Sequence, residues 1–282
     1  MAWLVRFSTE FSTTDGGASI ERELIMSDLW DRGSTGMYEP EDATIVAGFD
    51  TEAEAAAVVA HLVTVDGVVA GSATVEPAVT ATGSIDDEPR SVPVSTDRTR
   101  FDMMIRAGGA FGHGGHPTTV LALDLLTAAV EPNQQVLDVG TGTGILAVAA
   151  AMAGASTVVA IDNDPTAVDV ANENALRNGV DVQCRSADIA QVMEERRGAR
   201  FDVVVINVLL PIHRELAEAV WAAVEPGGSI VTAGYLADQA GEVLSIYRDR
   251  AGRHHRTGSS AALRIDERRS GDWVAHRIRL DR

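Results

Sequence analysis

The sequence predicts an α/β fold: a parallel sheet wound with helices on both faces and closed by an antiparallel hairpin, behind a small α+β domain of ferredoxin-like type. Three observations lead there. Beyond Phe101, strand-like apolar runs alternate with helical segments of roughly 10–15 residues, the pattern of a parallel sheet covered on both faces. A glycine-rich turn, Gly140-Thr141-Gly142-Thr143-Gly144, joins one of those strands to a helix start. The tail carries two strand-like segments around Ser270-Gly271, a hairpin-type turn.

The elements follow in order. Trp3-Leu4-Val5-Arg6-Phe7 reads as a strand, and Ile20–Trp30 has helical apolar spacing. Gly33 and Gly36 punctuate the chain before the strand-like run Ala43–Phe49. Thr51 is placed to cap a helix over Glu52–Val63, with an acid in its first turn. Val63–Val79 reads as one or two strands around Asp66-Gly67. This order makes residues 1–79 a small α+β unit suited to recognition or dimerisation, without a catalytic cluster. Residues 80–100, rich in Thr, Gly, Ser, Asp, Pro and Arg and free of aromatics, read as a linker.

Residues 101–282 form the second domain. A helix over Pro117–Ala129 precedes the strand Gln135–Val139, and another helix follows Gly144. Then come strand Thr157–Ile161, helix Pro165–Asn178, and strands Val180–Arg185 and Phe201–Ile206. Helix Ile212–Val224, strand Gly228–Ala233 and helix Leu236–Arg250 complete the alternation, and Ala261–Asp266 with Trp273–Leu280 make the hairpin. The longest mildly apolar stretch, Ile145–Ile161, holds Gly154, Ser156 and Thr157, and reads as a helix followed by a strand, not a membrane span.

Composition narrows the function. All 23 basic residues are Arg, which excludes a P-loop lysine and a lysine Schiff base. One cysteine, Cys184, allows no internal disulfide and no cysteine-based zinc site. The net charge of -18 disfavours direct nucleic-acid binding. Residues 1–100 hold 18 acidic and 6 basic side chains, a field that either keeps the protein dispersed or attracts a basic protein partner. The start of the chain lacks a basic stretch followed by an apolar core. The expectation is a soluble, cytoplasmic protein without membrane contact; the sequence carries no signal for an oligomeric state.

The chemistry centres on Val136-Leu137-Asp138-Val139-Gly140-Thr141-Gly142-Thr143-Gly144-Ile145. Glycines let backbone approach a ligand closely, and free N–H groups at a helix start favour an anion. A dinucleotide fingerprint is G-x-G-x-x-G; here the glycines run G-x-G-x-G, and Ile145 takes the last dinucleotide position. Asp138, two places before the first glycine, would repel a pyrophosphate but suits a cation bearing an amino group and a sulfonium, as in S-adenosylmethionine. Asp162, ending the next strand, is placed to accept ribose hydroxyls, a reading shared with nicotinamide enzymes; Asp164 suits a cap for the Pro165 helix. Asp188, after the third strand, can accept an adenine amino hydrogen or cap a helix. His113 and His116 lack a third metal ligand.

Residues 101–282 resemble the class I, seven-strand methyltransferases, whose sheet is Rossmann-like and whose methyl donor is S-adenosylmethionine. Ala110-Phe111-Gly112-His113-Gly114-Gly115-His116-Pro117-Thr118-Thr119 is similar to the segment ahead of the glycine loop in the PrmA family, which methylates ribosomal protein L11. That family typically reads AFGTGTHPTT there, so His113 and Gly115 replace two threonines. Asn207-Val208-Leu209, with Pro211 and Arg214-Glu215-Leu216, matches a second family segment. The resemblance implies that Thr119, Gly140, Asp162 and Asn207 touch the cofactor, with Asn207 facing the substrate. Asp138, Gly142, Gly144 and Asp188 join the cofactor set on the chemistry above, while Phe111 and His116 wall the site. The activity implied is N-methylation of a protein amino group, a lysine of a basic protein such as a ribosomal protein. The alternatives are another protein or a small amine as acceptor, an NAD-dependent oxidoreductase, and a cofactor-binding scaffold without catalysis.

Overall fold

The computed structural model describes residues 3–10, 25, 28–29, 32, 34, 36–38, 43–49, 51–77, 89–95, 99–107, 114–254 and 263–280. The chain divides into two compact units, Met1–Asp87 with Gly109–Phe111, and Glu88–Gly108 with Gly112–Arg282.

In the first unit, strands β1 (Trp3–Ser8), β2 (Gly36–Tyr38), β3 (Thr44–Phe49) and β4 (Thr74–Pro77) form an antiparallel sheet in the order β2-β3-β1-β4. Helix α1 (Glu52–Leu62) packs on it. Alternate strand residues Val5, Phe7, Ile45, Ala47 and Phe49 meet Ala55, Val58 and Leu62 from the helix, so period 2 faces period 3.6. Thr51 caps α1 in a reciprocal capping box with Glu54. Among the described residues, Val63–Pro77 contributes only β4 and an isolated bridge from Val68 to Thr9, because Gly67 and Gly71 turn the chain at φ 85° and 75°. The helix read over Ile20–Trp30 lies mostly outside the described residues; Ile25 and Leu29 are described and buried.

The second unit opens with a hairpin, β5 (Arg90–Ser95) and β6 (Arg100–Ile105). Within the stretch 80–100 expected to be a linker, the described residues 90–95 and 100 are strand instead. Val92 and Val94 alternate inward between exposed neighbours, and two buried side chains are enough to hold the strand. Then follow α2 (Pro117–Ala129), β7 (Gln135–Val139), α3 (Ile145–Met152), β8 (Thr157–Asp162), α4 (Pro165–Arg177) and β9 (Gln183–Ser186). After them come α5 (Ile189–Glu195), β10 (Phe201–Asn207), α6 (Leu210–Ala223), β11 (Val224–Leu236), α7 (Ala240–His254), β12 (Leu263–Ser270) and β13 (Trp273–Leu280).

The sheet order is β12-β13-β11-β10-β7-β8-β9. Strands β9, β8, β7, β10 and β11 run parallel, while β13 pairs antiparallel with both β11 and β12. The central strands are near-continuous apolar runs because helices cover both faces. Strand β11 runs past Ala233 to Leu236, displacing the next helix start to Ala240, because Tyr235 and Leu236 pair with Val274 and Trp273 beyond a register shift. At β7 the chain order reverses, with β8 on one side and β10 on the other, and such a switch point opens a crevice at the strands' carboxyl ends. Among the described residues no helix is long and apolar enough to cross a membrane.

Candidate functional site

The crevice is built from the ends of β7, β8 and β10. Asp138 sits one residue before the end of β7, fully buried, and the Thr141 hydroxyl donates to its Oδ2 at 2.6 Å. Its Oδ1 is buried without a hydrogen-bond partner. The loop folds back on β8: the amides of Gly140 and Thr141 donate to the Ile161 carbonyl at 2.9 and 3.0 Å, and Gly142 N–H donates to Asp162 Oδ2 at 2.9 Å. Asp162 Oδ1 accepts the Asp164 amide at 3.1 Å. Gly144 must be glycine: φ is 78°, and a Cβ there would fall 2.8 Å from the Ala171 Cβ.

Burial dominates the electrostatics. It pushes the Asp138 carboxyl up to about 7, and the neighbouring Asp162 charge adds to the rise; the Thr141 hydroxyl and the Ala147 backbone N–H pull against it. Asp138 is therefore a carboxyl that gains or loses a proton near neutrality, depending on what charge lies beside it.

The other wall comes from β10 and α2. Asn207 ends β10, half-buried, with its Oδ1 buried and unpartnered. Its neighbour Val208 meets the loop, since a Cβ on Gly140 would lie 2.9 Å from Val208 Cγ1. The backbone at Gly114, ahead of α2, is pressed between Val92 and Ile145, where a Cβ would fall 2.7 Å and 3.2 Å from their side chains. Thr119, in the first turn of α2, is fully buried and its Oγ1 has no partner. His116 caps that helix and meets the Trp273 ring edge-on at 4.8 Å.

The structure thus gathers Asp138, Gly140, Gly142, Gly144 and Asp162 into one cradle with Asn207 beside it. Asp188 follows β9, the strand beside β8, and is the N-cap of α5, in a capping box with Gln191. Phe111 and His113 lie outside the described residues. Asp164 caps α4 as expected. Thr119, Asp138 and Asn207 each keep a buried polar atom unpaired, which costs about 1–3 kcal/mol apiece unless a ligand satisfies it. The set offers an acceptor for a cation, a hydroxyl and an amide carbonyl.

Two buried polar residues near the site went unread in the sequence. Asn174 on α4 donates to the Thr143 carbonyl of the loop at 2.9 Å. His213 on α6 contacts the Ala233 carbonyl at 3.0 Å, the same carbonyl that accepts the Val208 amide at 3.1 Å. Each occupies an apolar stripe at helical spacing, Ala167-Ala171-Asn174 and Leu210-His213-Ala217, and a polar residue in such a stripe is the signal that could have found it.

Comparison with known proteins places this geometry. The family model described as "Ribosomal protein L11 methyltransferase (PrmA)" matches residues 78–262, more than half of the chain. A ribosomal protein L11 methyltransferase of Symbiobacterium thermophilum is 39% identical over 171 residues, 61% of this chain and 52% of that protein. One from Burkholderia thailandensis is 44% identical over 140 residues, 50% of this chain and 45% of that protein. The chain thus spans about half the length of the curated relatives it matches. Among solved structures, a ribosomal protein L11 methylase from Lactobacillus delbrueckii subsp. bulgaricus is similar at a TM-score of 0.52 and 30% identity, covering 63% of this chain and 84% of that one. The switch-point crevice, the G-x-G-x-G loop after Asp138 and the matched segments agree: this chain belongs to the PrmA family of ribosomal protein L11 methyltransferases.

Proposed function

We propose that the chain transfers a methyl group from S-adenosylmethionine to an amino group of a protein, a lysine of ribosomal protein L11. The observation that carries this reading is the buried carboxylate of Asp138, half unpartnered, at the head of a glycine loop. Such a group repels a diphosphate and pairs with an ammonium.

The residues present fit the cofactor. Asp138 takes its ammonium and the Thr119 hydroxyl its methionyl end. Gly144 brings no side-chain cap to α3, so the first-turn amides other than that of Ala147, which faces Asp138, are left for the cofactor's carboxylate. Asp162 accepts the ribose hydroxyls and Asp188 the adenine amino group. When bound, the cofactor supplies a methyl carbon already activated by its sulfonium. The chain contributes orientation and exclusion of water. Asn207 has an acceptor and two donors and orients an amine without ionising; it takes no proton, so the acceptor ammonium loses its proton elsewhere.

The β2-β3-β1-β4 order of the first unit, with helix α1 on the sheet among the described residues, supports reading it as a ferredoxin-like recognition module. The surplus of 18 acidic over 6 basic side chains in residues 1–100 suits a basic protein partner, and the reaction belongs in the cytoplasm.

The test is labelled methyl transfer to purified ribosomal protein L11. Wild type is expected to label a lysine, and Asn207→Ala to lose roughly 100-fold in rate, the scale of removing one positioned polar contact in a reaction centre. An Asn207→Ala variant at full rate ends that residue's role. A protein that binds NAD but not S-adenosylhomocysteine overturns the reading of the site.

A further inference from the structure

We propose that Asn174 is a positioning residue that sets the spacing between the two walls of the cofactor crevice; the proposal rests on reading that crevice as an S-adenosylmethionine site. Asn174 is fully buried on α4. Its Oδ1 accepts from the Arg106 amide and from the Arg177 guanidinium, both at 2.9 Å. Its Nδ2 donates to the Arg106 carbonyl at 2.8 Å and to the Thr143 carbonyl at 2.9 Å. All four bonding positions of the amide are filled.

The partners matter more than the count. The β5–β6 ladder ends at the Arg90–Ile105 pair, and the Asn174 side chain then takes the N–H and C=O of the next residue, Arg106, as a strand would. The same amide holds Thr143, the residue before Gly144 at the foot of the glycine loop. The contacts close into a ring. From Arg106 they pass along β6 to its partner β5, from Val92 to the backbone of Gly114, and from Gly114 to Ile145. Ile145 opens α3 directly after Thr143 and Gly144, whose loop returns to Asn174. One wall of the ring leads to Thr119 and the other to Asp138; Gly114 joins them by packing, and Asn174 joins them by hydrogen bonds.

The fold supplies its own control. Asn178, one turn further along, binds the N–H and C=O of Met104 at 2.8 and 2.9 Å and donates to the Asn174 backbone carbonyl at 2.7 Å, but makes no bond to the loop. A clip that merely holds the hairpin is work the two asparagines share; placing the loop belongs to Asn174. No other side chain of this size serves, since Asp lacks the donors and Leu lacks both functions.

The experiment titrates S-adenosylhomocysteine calorimetrically against full-length wild type, Asn174→Ala, Asn174→Asp and Asn178→Ala, with thermal melts of each. At a temperature well below the melting of each variant, Asn178→Ala is expected to bind within about threefold of wild type and Asn174→Ala at least about tenfold more weakly; both lose melting temperature, fully buried Asn174 the more. Asn174→Asp binds more weakly still, because its second oxygen faces the Thr143 and Arg106 carbonyls. Should Asn174→Ala not fold, Asn174→Ser takes its place in the same comparison. Unchanged affinity in the Asn174 variants, or affinity lost in step with melting in both alanine variants, overturns the proposal. Wild type that fails to bind S-adenosylhomocysteine overturns the reading of the crevice itself, and Asn174's role with it.

Discussion

The Thr141 hydroxyl donates a 2.6 Å hydrogen bond to Oδ2 of Asp138, three residues back, while Oδ1 of the same carboxylate stays buried and unpartnered. Half of the group is satisfied by the loop and half is left for a ligand. Burial, with the Asp162 charge, holds its pKa at about 7, and a bound ammonium would lower it. Binding below that pH therefore releases a proton. Affinity for S-adenosylhomocysteine is expected to tighten between about pH 5.5 and 7, approaching tenfold per pH unit at the acid end, and to level off above. Asp138→Asn flattens this profile and weakens binding roughly 10- to 100-fold. Calorimetry in buffers of different ionisation enthalpy counts the protons; none released at pH 6 would contradict the account.

The same carboxylate makes the ligand-free protein pH-sensitive. Its folded pKa lies above the unfolded value of 3.8, so the folded state keeps a proton that the unfolded chain has lost. Stability from this group is present in acid and falls as pH rises toward 7, by up to about 1.4 kcal/mol per pH unit. His213 works in the opposite sense. Burial lowers its pKa to about 4, with the Ala233 carbonyl opposing, so it stays neutral while the unfolded histidine protonates below 6.5. Its share of stability is lost as pH falls from 6.5 toward 4. The two slopes offset each other between about pH 4 and 6.5. Asp138→Asn is expected to expose the His213 slope, losing stability in acid relative to wild type, and to be the more stable protein at pH 8. Urea melts across this range check it; parallel curves for the two proteins would refute it.

Glycines on the described chain differ in what they would tolerate. Gly144 and Gly179 share a positive φ, 78° and 66°, but a Cβ on Gly144 strikes Ala171 while one on Gly179 meets nothing within 4 Å. Gly179→Ala is expected to cost only the backbone strain, about 1–2 kcal/mol. Gly144→Ala must also push α4 away from the loop, for a total of about 2–5 kcal/mol, with cofactor binding lost. Equal costs in denaturant melts would show that α4 yields freely.

What the sequence made legible follows from how locally each feature is encoded. Strands β7, β8 and β10 are continuous apolar runs because both faces are buried, and Asp164-Pro165 marks its helix start in two residues. Asp138 and the glycines are likewise read from a seven-residue window. Hairpin β5–β6 was not legible: only Val92 and Val94 turn inward on β5, Pro93 between them argues against a strand, and the side chains that hold β6 come from 68 and 74 residues away. Helix α5 has seven residues and two buried ones, too few to show a period. The partners of Asn174 and His213 lie 31 and 20 residues away along the chain, so the sequence shows a polar residue in an apolar stripe but not what it holds.

Asp188 carries two readings that substitution can separate. As the N-cap of α5 it accepts the Gln191 amide at 2.8 Å through one oxygen. Asp188→Ala removes that acceptor and is expected to cost about 1 kcal/mol of stability. Asp188→Asn keeps an oxygen in place and holds the cap within a few tenths. A role toward adenine lies in the charge and in the free oxygen, which accept the exocyclic amino group but have nothing to donate. Wild type should therefore prefer S-adenosylhomocysteine over its inosine counterpart, which carries a carbonyl there, by roughly tenfold or more. With the cap oxygen kept, the amide nitrogen of Asp188→Asn stands where the free oxygen was and donates instead, so the preference should shrink several-fold with no change in melting. A preference equal in wild type and Asp188→Asn assigns the residue to the helix cap alone and leaves adenine selection to other groups.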